Sequence, residues 1–497
     1  MPIETFLKRL ENIMRDDAGV DGTVQILSQV VWMLFLRVYD LKEENWELFE
    51  DDYESPIKES CRWRNWAVGK SKNEQITGEE LLTFVNEELF PTLKGIEITV
   101  NTPRRVSIIV EMMEDANNYM KDGVCLRRVI NLINEVKLDD YEESHAFNTI
   151  YEELLKKLQT AGKQGEYYTP RALTTFITNQ VNPRLGETIA DFACGTGGFL
   201  VDTINHLKGQ VKSTADDEIF QNSIVGVEKK QLPYMLCTTN LLLNGIDNPN
   251  IIHGNSLGKN VRDYTEEEKV DVVLMNPPYG GHEQDSILNN FPSNLRNSET
   301  ADLFMIEILY RLKENGRCGI ILPDGFLLGS NNSKIAIKEK LMKECNLHTV
   351  IRLCGSIFSP YTTISTNLLF FDKTGSTKET WFYRFDLPEG YKAFSKTKPL
   401  KLEHMKCIEE WWNNRKEIKD TDTDTYKSKK YTIDEIIADN YNLDLCGFPQ
   451  KDEVVLEPLE VIEKFQSKRD KLDKQMDKKL KEILELLDKE NLALSEI

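Results

Sequence analysis

The spacing of apolar residues changes along the chain, and its first part is helical in pattern. Up to about residue 150, apolar positions recur every three or four residues, as they do on one face of an α-helix. The sequence Ala161-Gly162-Lys163-Gln164-Gly165 then breaks this pattern. We therefore predict a helical N-terminal domain over residues 1–160, with helices at 24–41, 81–90, 106–120, 126–138 and 151–158.

From about residue 165 to 400, short β-branched runs alternate with helical stretches. Each run ends in Gly, Pro, Asn or Asp, which is typical of the strands of a doubly wound α/β sheet. Ligands of such sheets bind at the carboxyl ends of the strands. We predict a catalytic domain over 161–445, with strands at 188–192, 223–227, 250–253, 270–275, 318–322, 348–353 and 367–371.

The last part of the chain is dominated by charged residues. Residues 413–430 are nearly free of aliphatic side chains, which predicts an exposed connector. Residues 446–497 form a predicted helical tail with an apolar stripe among Lys, Asp and Glu. Such a helix either folds onto its own protein or packs on the helices of a partner. The stripe comprises Val461, Ile462, Phe465, Leu472, Met476, Leu480, Ile483, Leu486 and Leu487.

Charge and cysteine content restrict the function classes. The 62 Lys and Arg residues against 82 Asp and Glu residues give a formal charge of −20, so phosphate polyanions should be repelled by the chain as a whole. The nine cysteines form no C-x-x-C pair and have no His nearby at zinc spacing, so we expect reduced thiols and no metal site.

The most apolar segment, 24–41, contains Gln25, Ser28, Gln29 and Arg37, and its longest apolar run covers only 30–36. That run is too short to span a bilayer, which predicts a buried helix and no membrane association. The first residues also lack the apolar stretch and cleavage site of a signal peptide. We therefore expect a cytoplasmic protein.

A glycine-rich turn follows the first predicted strand. It has the sequence Asp191-Phe192-Ala193-Cys194-Gly195-Thr196-Gly197-Gly198 and precedes a predicted helix. Glycines let a backbone turn tightly and approach a ligand, whether a dinucleotide, a nucleoside or none. The next strand ends in Glu228, whose carboxylate can accept hydrogen bonds from both hydroxyls of a ribose. Together the glycine-rich turn and Glu228 favour an adenosine-containing ligand. The sequence contains no Walker motif, which disfavours a P-loop nucleotide hydrolase.

The tetrad Asn276-Pro277-Pro278-Tyr279 follows the apolar run 270–275. An exocyclic amine on adenine is a poor nucleophile because its lone pair is delocalised into the ring. The Asn276 side-chain oxygen and the Pro277 main-chain oxygen can hold its two N–H groups out of the ring plane and localise that pair. The two prolines stiffen the loop, and Tyr279 offers a ring on which a flipped base can stack. The tetrad therefore predicts methylation of a planar amine.

The order GEYYTP, DFACGTGGF, GVE and NPPYG resembles that of the amino-group DNA methyltransferases that use S-adenosylmethionine. The closest similarity is to the modification subunit of type I restriction-modification systems, and it extends to YTIDEIIADNYNLDL near the C-terminus. This resemblance implies an α/β fold with a helical N-terminal domain, a Rossmann-like core with a mostly parallel sheet, and a C-terminal amphipathic helix that docks on a specificity subunit.

The resemblance also implies roles for individual residues. The segment 164–170 is expected against the methionine end of the cofactor. Asn255 stands where many relatives have an acid that contacts the adenine of the cofactor, and its amide oxygen can accept the same hydrogen bond. Cys194 is expected to pack near the cofactor rather than to act as a nucleophile. Asp302 either supports the catalytic loop or serves as a helix N-terminal charge. The implied cofactor-binding residues are Gln164, Gly165, Glu166, Tyr167, Tyr168, Thr169, Pro170, Asp191, Ala193, Cys194, Gly195, Thr196, Gly197, Gly198, Glu228, Asn255 and Ser256.

These features predict an adenine-N6 DNA methyltransferase subunit whose catalytic residues are Asn276, Pro277, Pro278 and Tyr279. Its expected partners are DNA, a specificity subunit, a restriction subunit and a second copy of itself. Methylation of cytosine N4 or of a protein glutamine, and a non-catalytic assembly scaffold, are the alternatives. The charge of −20 then indicates that a separate subunit supplies much of the phosphate contact.

Overall fold

The computed structural model describes residues 3–69, 75–136, 169–359, 362, 364–395, 397–420, 425–448 and scattered positions between 462 and 481. Two units are distinguished, Met1–Gly447 and Phe448–Ile497. The predicted helix at 151–158 and the predicted boundary after residue 160 lie outside the described residues. The division into three domains therefore stays a prediction.

The N-terminal region of the first unit is helical, as its apolar spacing predicts. The predicted helix at 106–120 ends earlier, at Glu114, and the last two residues of 126–138 lie outside the described part. Asp122 caps the sixth helix, because its carboxylate accepts hydrogen bonds from the N–H groups of Val124 and Cys125. The helices are α1 (Ile3–Arg15), α2 (Gly22–Phe49), α3 (Gly78–Thr83), α4 (Phe90–Lys94), α5 (Arg104–Glu114) and α6 (Gly123–Asn134), with π-helical segments at Arg64–Val68 and Phe84–Leu89.

Helix α2 is long and apolar enough to cross a membrane by length and composition, but most of its apolar window is buried inside the protein. Its polar residues are also used there. The buried amide of Gln29 bonds to Asn118 at 3.0 Å and to the N–H of Tyr119 at 2.7 Å. Buried Asp40 accepts a hydrogen bond from Arg64 at 2.9 Å. These contacts are those of a core helix, as predicted for 24–41.

The described part of the first unit contains a ten-stranded sheet in the order β3-β2-β1-β4-β5-β7-β6-β8-β10-β9. Strands β1 to β5 are parallel, and β7 runs antiparallel between β5 and β6. All seven predicted strands are present, as β1 to β7. The strands are β1 (Ile189–Asp191), β2 (Ile224–Glu228), β3 (Asn250–His253), β4 (Val270–Met275), β5 (Leu312–Pro323), β6 (Asn346–Arg352), β7 (Thr366–Asp372), β8 (Glu379–Arg384), β9 (Ile418–Lys419) and β10 (Tyr426–Thr432).

The prediction of an exposed connector at 413–430 is wrong in part. Strands β9 and β10 lie in this segment and extend the sheet beyond β8, with β10 antiparallel to β8. Aliphatic residues are not needed here because lysine and aromatic side chains cover this end of the sheet. The ammonium group of Lys429 lies 4.4 Å from the ring centroid of Tyr431. The edge strand is β9, which ends in Lys419, and lysines on edge strands discourage pairing with other chains.

Helices cover both faces of the sheet, and its central strands are buried on both sides. Along β4, Val272 and Leu274 belong to one apolar core and Val273 and Met275 to the other. This burial on both faces explains why β4 reads as a continuous apolar run. The helices are α7 (Arg171–Val181), α8 (Gly198–Lys208), α9 (Thr214–Gln221), α10 (Gln231–Leu243), α11 (Asp285–Leu288), α12 (Thr300–Arg311), α13 (Asp324–Leu328), α14 (Asn332–Glu344), α15 (Lys406–Asn413) and α16 (Ile433–Ala438).

The helical N-terminal region is joined to the edge of the sheet at β3. Arg104 of α5 donates hydrogen bonds to the carbonyl oxygens of Pro249 and Ile251, at 3.2 and 2.6 Å. Glu111 of the same helix accepts a hydrogen bond from the hydroxyl of Tyr234 at 2.6 Å. Since Tyr234 lies in α10, which follows Glu228 closely, these bonds tie the N-terminal region to the helix beside the predicted ribose site.

In the second unit, the described positions between 462 and 481 are helical. Five of its apolar side chains are 52–66% exposed, namely those of Ile462, Phe465, Leu472, Met476 and Leu480. They are members of the predicted apolar stripe. The remaining members, Val461, Ile483, Leu486 and Leu487, lie outside the described residues.

Candidate active site

The loops that follow β2, β1 and β4 are neighbours because these strands are adjacent in the sheet. All three strands are parallel, so their carboxyl ends meet at one edge. Glu228, the glycine-rich turn and the tetrad Asn276–Tyr279 lie at these ends. The topology therefore brings the two predicted constellations to one place.

Gly197 has little room for a side chain. Its φ of +83° lies in the left-handed region, and an added Cβ would lie 2.9 Å from the sulfur of Cys237 in α10. Gly195 also has a positive φ, +53°, but a Cβ there would meet no atom within 4 Å. One face of the turn is thus packed on α10, and the other borders open space in which a ligand can lie.

Glu228 organises the glycine-rich turn. Its Oε2 accepts a hydrogen bond from the N–H of Gly195 at 2.9 Å, and its Oε1 accepts one from the N–H of Lys230 at 2.8 Å. The residue is only 9% exposed. A carboxylate oxygen has more than one acceptor site, so the same group can hold the turn and receive ribose hydroxyls.

Asp191 is buried at the end of β1. Its Oδ1 accepts a hydrogen bond from the N–H of Ala193 at 3.1 Å. Burial, with a smaller contribution from the charge of Glu228, raises the pKa of Asp191 to about 8. The carboxyl group is therefore mostly protonated at neutral pH.

Cys194 packs against a second thiol. Its sulfur lies 3.7 Å from that of Cys237, and both residues are buried. The hydrogen bond with Cys237 and burial raise the pKa of Cys194 well above its usual value. A protonated, buried thiol is a poor nucleophile, which is in keeping with the predicted packing role.

The tetrad is held by hydrogen bonds between side chains. The Asn276 amide nitrogen donates to the hydroxyl of Thr169 at 2.9 Å, and the hydroxyl of Tyr279 donates to the Asn276 oxygen. Thr169 and Pro170 are the two described residues of the predicted cofactor segment, whereas Gln164, Gly165, Glu166, Tyr167 and Tyr168 lie outside the described part. The structure therefore connects that segment directly to the tetrad.

The ring of Tyr279 is less accessible than the expected stacking role requires. Its side chain is only 5% exposed, and the ring packs edge-on against Phe358 with centroids 6.2 Å apart. Phe358 lies in the loop after β6 and was not anticipated, because no local pattern marks a contact between two loops this far apart in sequence.

The loop after the tetrad rests on the start of α12. Thr300 donates its N–H to the carbonyl oxygen of Gly281 at 3.1 Å. Asp302, in the first turn of the helix, accepts a hydrogen bond from Asn297 at 2.9 Å and pairs with buried Lys334 at 3.0 Å. Burial raises the pKa of Asp302. Through Asn297 and Lys334, a residue that sequence reasoning missed, Asp302 ties the loop after the tetrad to the start of α12, and its two predicted roles stay predictions.

Asn255 and Ser256 follow β3 at the other side of the turn. The Asn255 side-chain oxygen accepts a hydrogen bond from the N–H of Leu257 at 3.2 Å, which caps a short helical turn. The Ser256 hydroxyl donates to buried Glu307 at 3.1 Å. Both side chains therefore have structural partners inside the domain, and their predicted cofactor contacts stay predictions.

The residues present suit an adenosine-containing cofactor. The open face of the turn at Gly195, the amides of the turn and the carboxylate of Glu228 lie at one edge of the sheet. Within the described part of the chain, no group of three or more His, Cys, Asp or Glu side chains could hold a metal ion. The sheet order, the glycine-rich turn and the tetrad define the class of S-adenosylmethionine-dependent methyltransferases.

Comparison with known proteins identifies the family within this class. The family described as N-6 DNA Methylase matches residues 142–454. The chain is 46% identical over 471 residues to the type I restriction enzyme EcoEI methylase subunit of Escherichia coli, covering 94% of this chain and 95% of that protein.

Solved structures agree with this placement. A modification subunit of a putative type I restriction enzyme from Vibrio vulnificus YJ016 superposes with a TM-score of 0.78 at 36% identity, covering 87% of this chain and 92% of that one. A chain from a study of complex assembly in the type I R-M system gives a TM-score of 0.77 at 32% identity, covering 97% of this chain and 98% of that one. The chain belongs to the N-6 DNA methylase family, in the branch of the type I restriction-modification methylase subunits.

Proposed function

We propose that the chain transfers a methyl group from S-adenosylmethionine to the N6 amine of an adenine turned out of duplex DNA. Membership of the N-6 DNA methylase family supports the reaction class. The observation that carries the proposal is the hydrogen-bonded group Thr169–Asn276–Tyr279, at the same sheet edge as Glu228.

Glu228 and the glycine-rich turn would hold the adenosine part of the cofactor. The carboxylate of Glu228 would accept the ribose hydroxyls, while the turn from Asp191 to Gly198 borders the ligand with its backbone. Thr169 and Pro170, with residues 164–168, would lie at the methionine end, and Asn255 and Ser256 near the adenine. When bound, S-adenosylmethionine supplies an electrophilic methyl group on a sulfonium centre.

Asn276 and Pro277 would orient the target amine. The bond from the Asn276 nitrogen to Thr169 fixes the orientation of the side chain, and the side-chain oxygen is the group that would accept from the base. The Pro277 carbonyl would accept the second N–H. Two fixed acceptors would hold the amine out of conjugation with the ring and keep its lone pair available as the nucleophile that displaces the thioether from the methyl carbon, and the surplus proton would leave the nitrogen afterwards.

Tyr279 would move when the base binds. Its hydroxyl is hydrogen-bonded to the Asn276 oxygen and its ring is buried against Phe358. Rotation of this side chain would release the oxygen for the amine and turn the ring toward the base. Stacking of the base on Tyr279 therefore requires this side chain to move, whereas Glu228 and the glycine-rich turn would bind the cofactor without such a movement.

The negative charge of the chain and its C-terminal helical tail support the presence of partner subunits. The chain carries a formal charge of −20, and the second unit exposes apolar helical side chains. We infer that this helix docks on a specificity subunit that reads the DNA sequence. A restriction subunit and a second copy of the chain would complete the assembly, and the chromosomal substrate implies the cytoplasm.

Methyl transfer to unmethylated DNA tests this function. The chain assembled with its specificity subunit should incorporate label from S-adenosylmethionine, and mass analysis of the nucleosides should find N6-methyladenine. The variant Asn276→Ala should lose at least about 10²–10³-fold in rate, as expected when an acceptor used in the transition state is removed. Its affinity for S-adenosylmethionine should stay unchanged.

Each alternative has its own outcome in this experiment. Methylated cytosine would replace the adenine assignment, and label in a protein would indicate a glutamine substrate. No transfer by the wild-type assembly would favour a scaffold. Transfer by Asn276→Ala at the wild-type rate would refute the role of Asn276.

A further inference from the structure

We infer that residues 387–406, which we name the basic loop, bind the phosphate backbone of the DNA beside the flipped adenine. The inference rests on the proposed function and deepens it, since it identifies the part of this acidic chain that meets the DNA. Its lysines would position the duplex without reading its sequence.

The basic loop begins at the catalytic edge of the sheet. It follows β8, which is parallel to β6, so the carboxyl ends of both strands lie at the same edge. The N–H of Phe394 donates to the hydroxyl of Ser356, in the loop after β6, at 3.0 Å. Two residues further along that loop, Phe358 packs against Tyr279 of the tetrad.

A second contact places the end of the basic loop near the site. The short helical turn Leu402–Met405 packs against α7. Helix α7 begins directly after Pro170, next to Thr169, the hydrogen-bond partner of Asn276. The basic loop therefore contacts structure on two sides of the catalytic group.

The basic loop is held by apolar side chains and presents lysines. Phe394, Leu400 and Met405 are buried. The rings of Tyr391, Phe394 and His404 form a cluster with centroids 5.1–5.4 Å apart. Four lysines of the basic loop are exposed: Lys392, Lys398, Lys401 and Lys406. A loop packed in this way presents its charges in a defined place.

The charge of the basic loop is opposite to that of the chain. It contains five lysines and two glutamates, in a chain whose formal charge is −20. The segment 280–299, which follows the tetrad on its other side, contains three acidic residues and one arginine. A polyanion beside the tetrad would therefore be attracted to the basic loop and repelled by segment 280–299.

The salt dependence of DNA binding tests this inference. The probe is a fluorescent duplex of arbitrary sequence, bound by the full chain with its specificity subunit over a range of salt concentrations. Each lost phosphate contact lowers the slope of log K against log[salt] by about 0.9. The double variant Lys392→Ala/Lys398→Ala should therefore lose about 1.8 from the magnitude of the slope.

Lys340→Ala/Lys343→Ala is the matched control. These lysines lie in the last turns of α14, just before the amino end of β6 and thus at the opposite sheet edge. The control removes the same charge and should leave the slope unchanged. Lys392→Arg/Lys398→Arg keeps the charge and should also keep the wild-type slope.

The outcomes separate this inference from the proposed function. An unchanged slope in Lys392→Ala/Lys398→Ala, while the wild-type assembly methylates DNA, would overturn the inference alone. An equal loss in the control would also overturn it, because overall charge would then be the cause. Absence of methyl transfer by the wild type would defeat the proposed function, while the slope would still report on DNA contact. A lowered unfolding temperature would show that Lys392→Ala/Lys398→Ala is misfolded. In that case Lys392→Arg/Lys398→Arg decides, because loss of the salt-dependence slope despite the retained charge would count against the inference.

Discussion

The cofactor side and the base side of the site are held together in different ways. On the cofactor side, buried carboxyl groups accept hydrogen bonds from backbone N–H groups, as Glu228 does from Gly195 and Lys230 and Asp191 does from Ala193. On the base side, Asn276 is held by the side chains of Thr169 and Tyr279. Bonds to backbone N–H groups fix the conformation of the turn itself, whereas a bond between two side chains can change by rotation while the backbone stays in place. The side proposed to bind the cofactor is thus preformed, and the side proposed to receive the base can rearrange by side-chain rotation.

The largest expected effect on the cofactor side comes from Glu228→Ala. This change removes the acceptor of two loop N–H groups together with the expected acceptor of the ribose hydroxyls. Hydrogen bonds to a charged group contribute about 1.5–3 kcal/mol each, so the affinity for S-adenosylmethionine should fall at least about 10²-fold. Calorimetric titration of the full chain measures this. Wild-type affinity in the variant would show that the ribose binds elsewhere.

A smaller effect is expected for Gly197→Ala. The left-handed conformation costs about 1–2 kcal/mol with a side chain, and the new Cβ would lie 2.9 Å from the Cys237 sulfur. Gly195→Ala is the matched control, since it carries the same conformational cost without the contact. Unfolding temperatures should therefore rank wild type above Gly195→Ala and Gly195→Ala above Gly197→Ala. Equal losses in both variants would contradict close packing of the turn on α10.

Per pH unit, the effect expected at Asp191 is the smallest of the three. In the unfolded chain an aspartate ionises near pH 3.9, whereas the pKa of Asp191 in the folded protein is about 8. Between these two pH values the folded state binds one proton more than the unfolded state. The free energy of unfolding therefore falls as the pH rises from about 4 to 8. Asp191→Asn does not titrate, so its stability relative to wild type should rise by up to about 1.4 kcal/mol per pH unit in this window. Denaturant unfolding at pH 5, 6 and 7 measures this, and a constant difference would contradict the buried, protonated state.

Local patterns predicted the parts of the fold and of the site that depend on neighbouring residues. The seven β-branched runs became β1 to β7, and Glu228 and the tetrad could be placed because each follows such a run. By contrast, β9 and β10 are stabilised by strand pairing and by lysine–aromatic contacts, which leave no apolar pattern. Local chemistry also suggested that the ring of Tyr279 is accessible. The structure differs because Phe358 covers this ring, and the two residues lie in loops that only the folded sheet brings together.

The residues that support the site could not be predicted from the sequence, because their contacts also join segments far apart along the chain. Thr300 bonds to Gly281, and Lys334 pairs with Asp302, across helices and loops whose proximity depends on the order of the strands. Nothing in the sequence next to Lys334 distinguishes it from a surface lysine. Residues in local motifs can be located from this sequence, whereas the residues that position them require the tertiary structure.

The most direct test of the proposed function is the single-turnover rate of methyl transfer to DNA, measured for Asn276→Ala and Glu228→Ala in the same assembly at increasing concentrations of S-adenosylmethionine up to saturation. Asn276→Ala should be slow at every cofactor concentration, because the amine acceptor is missing. Glu228→Ala should recover most of the wild-type rate once the cofactor is saturating, because its defect is in binding. Recovery of the Asn276→Ala rate by added cofactor would contradict the separation of the two sides and the role assigned to Asn276.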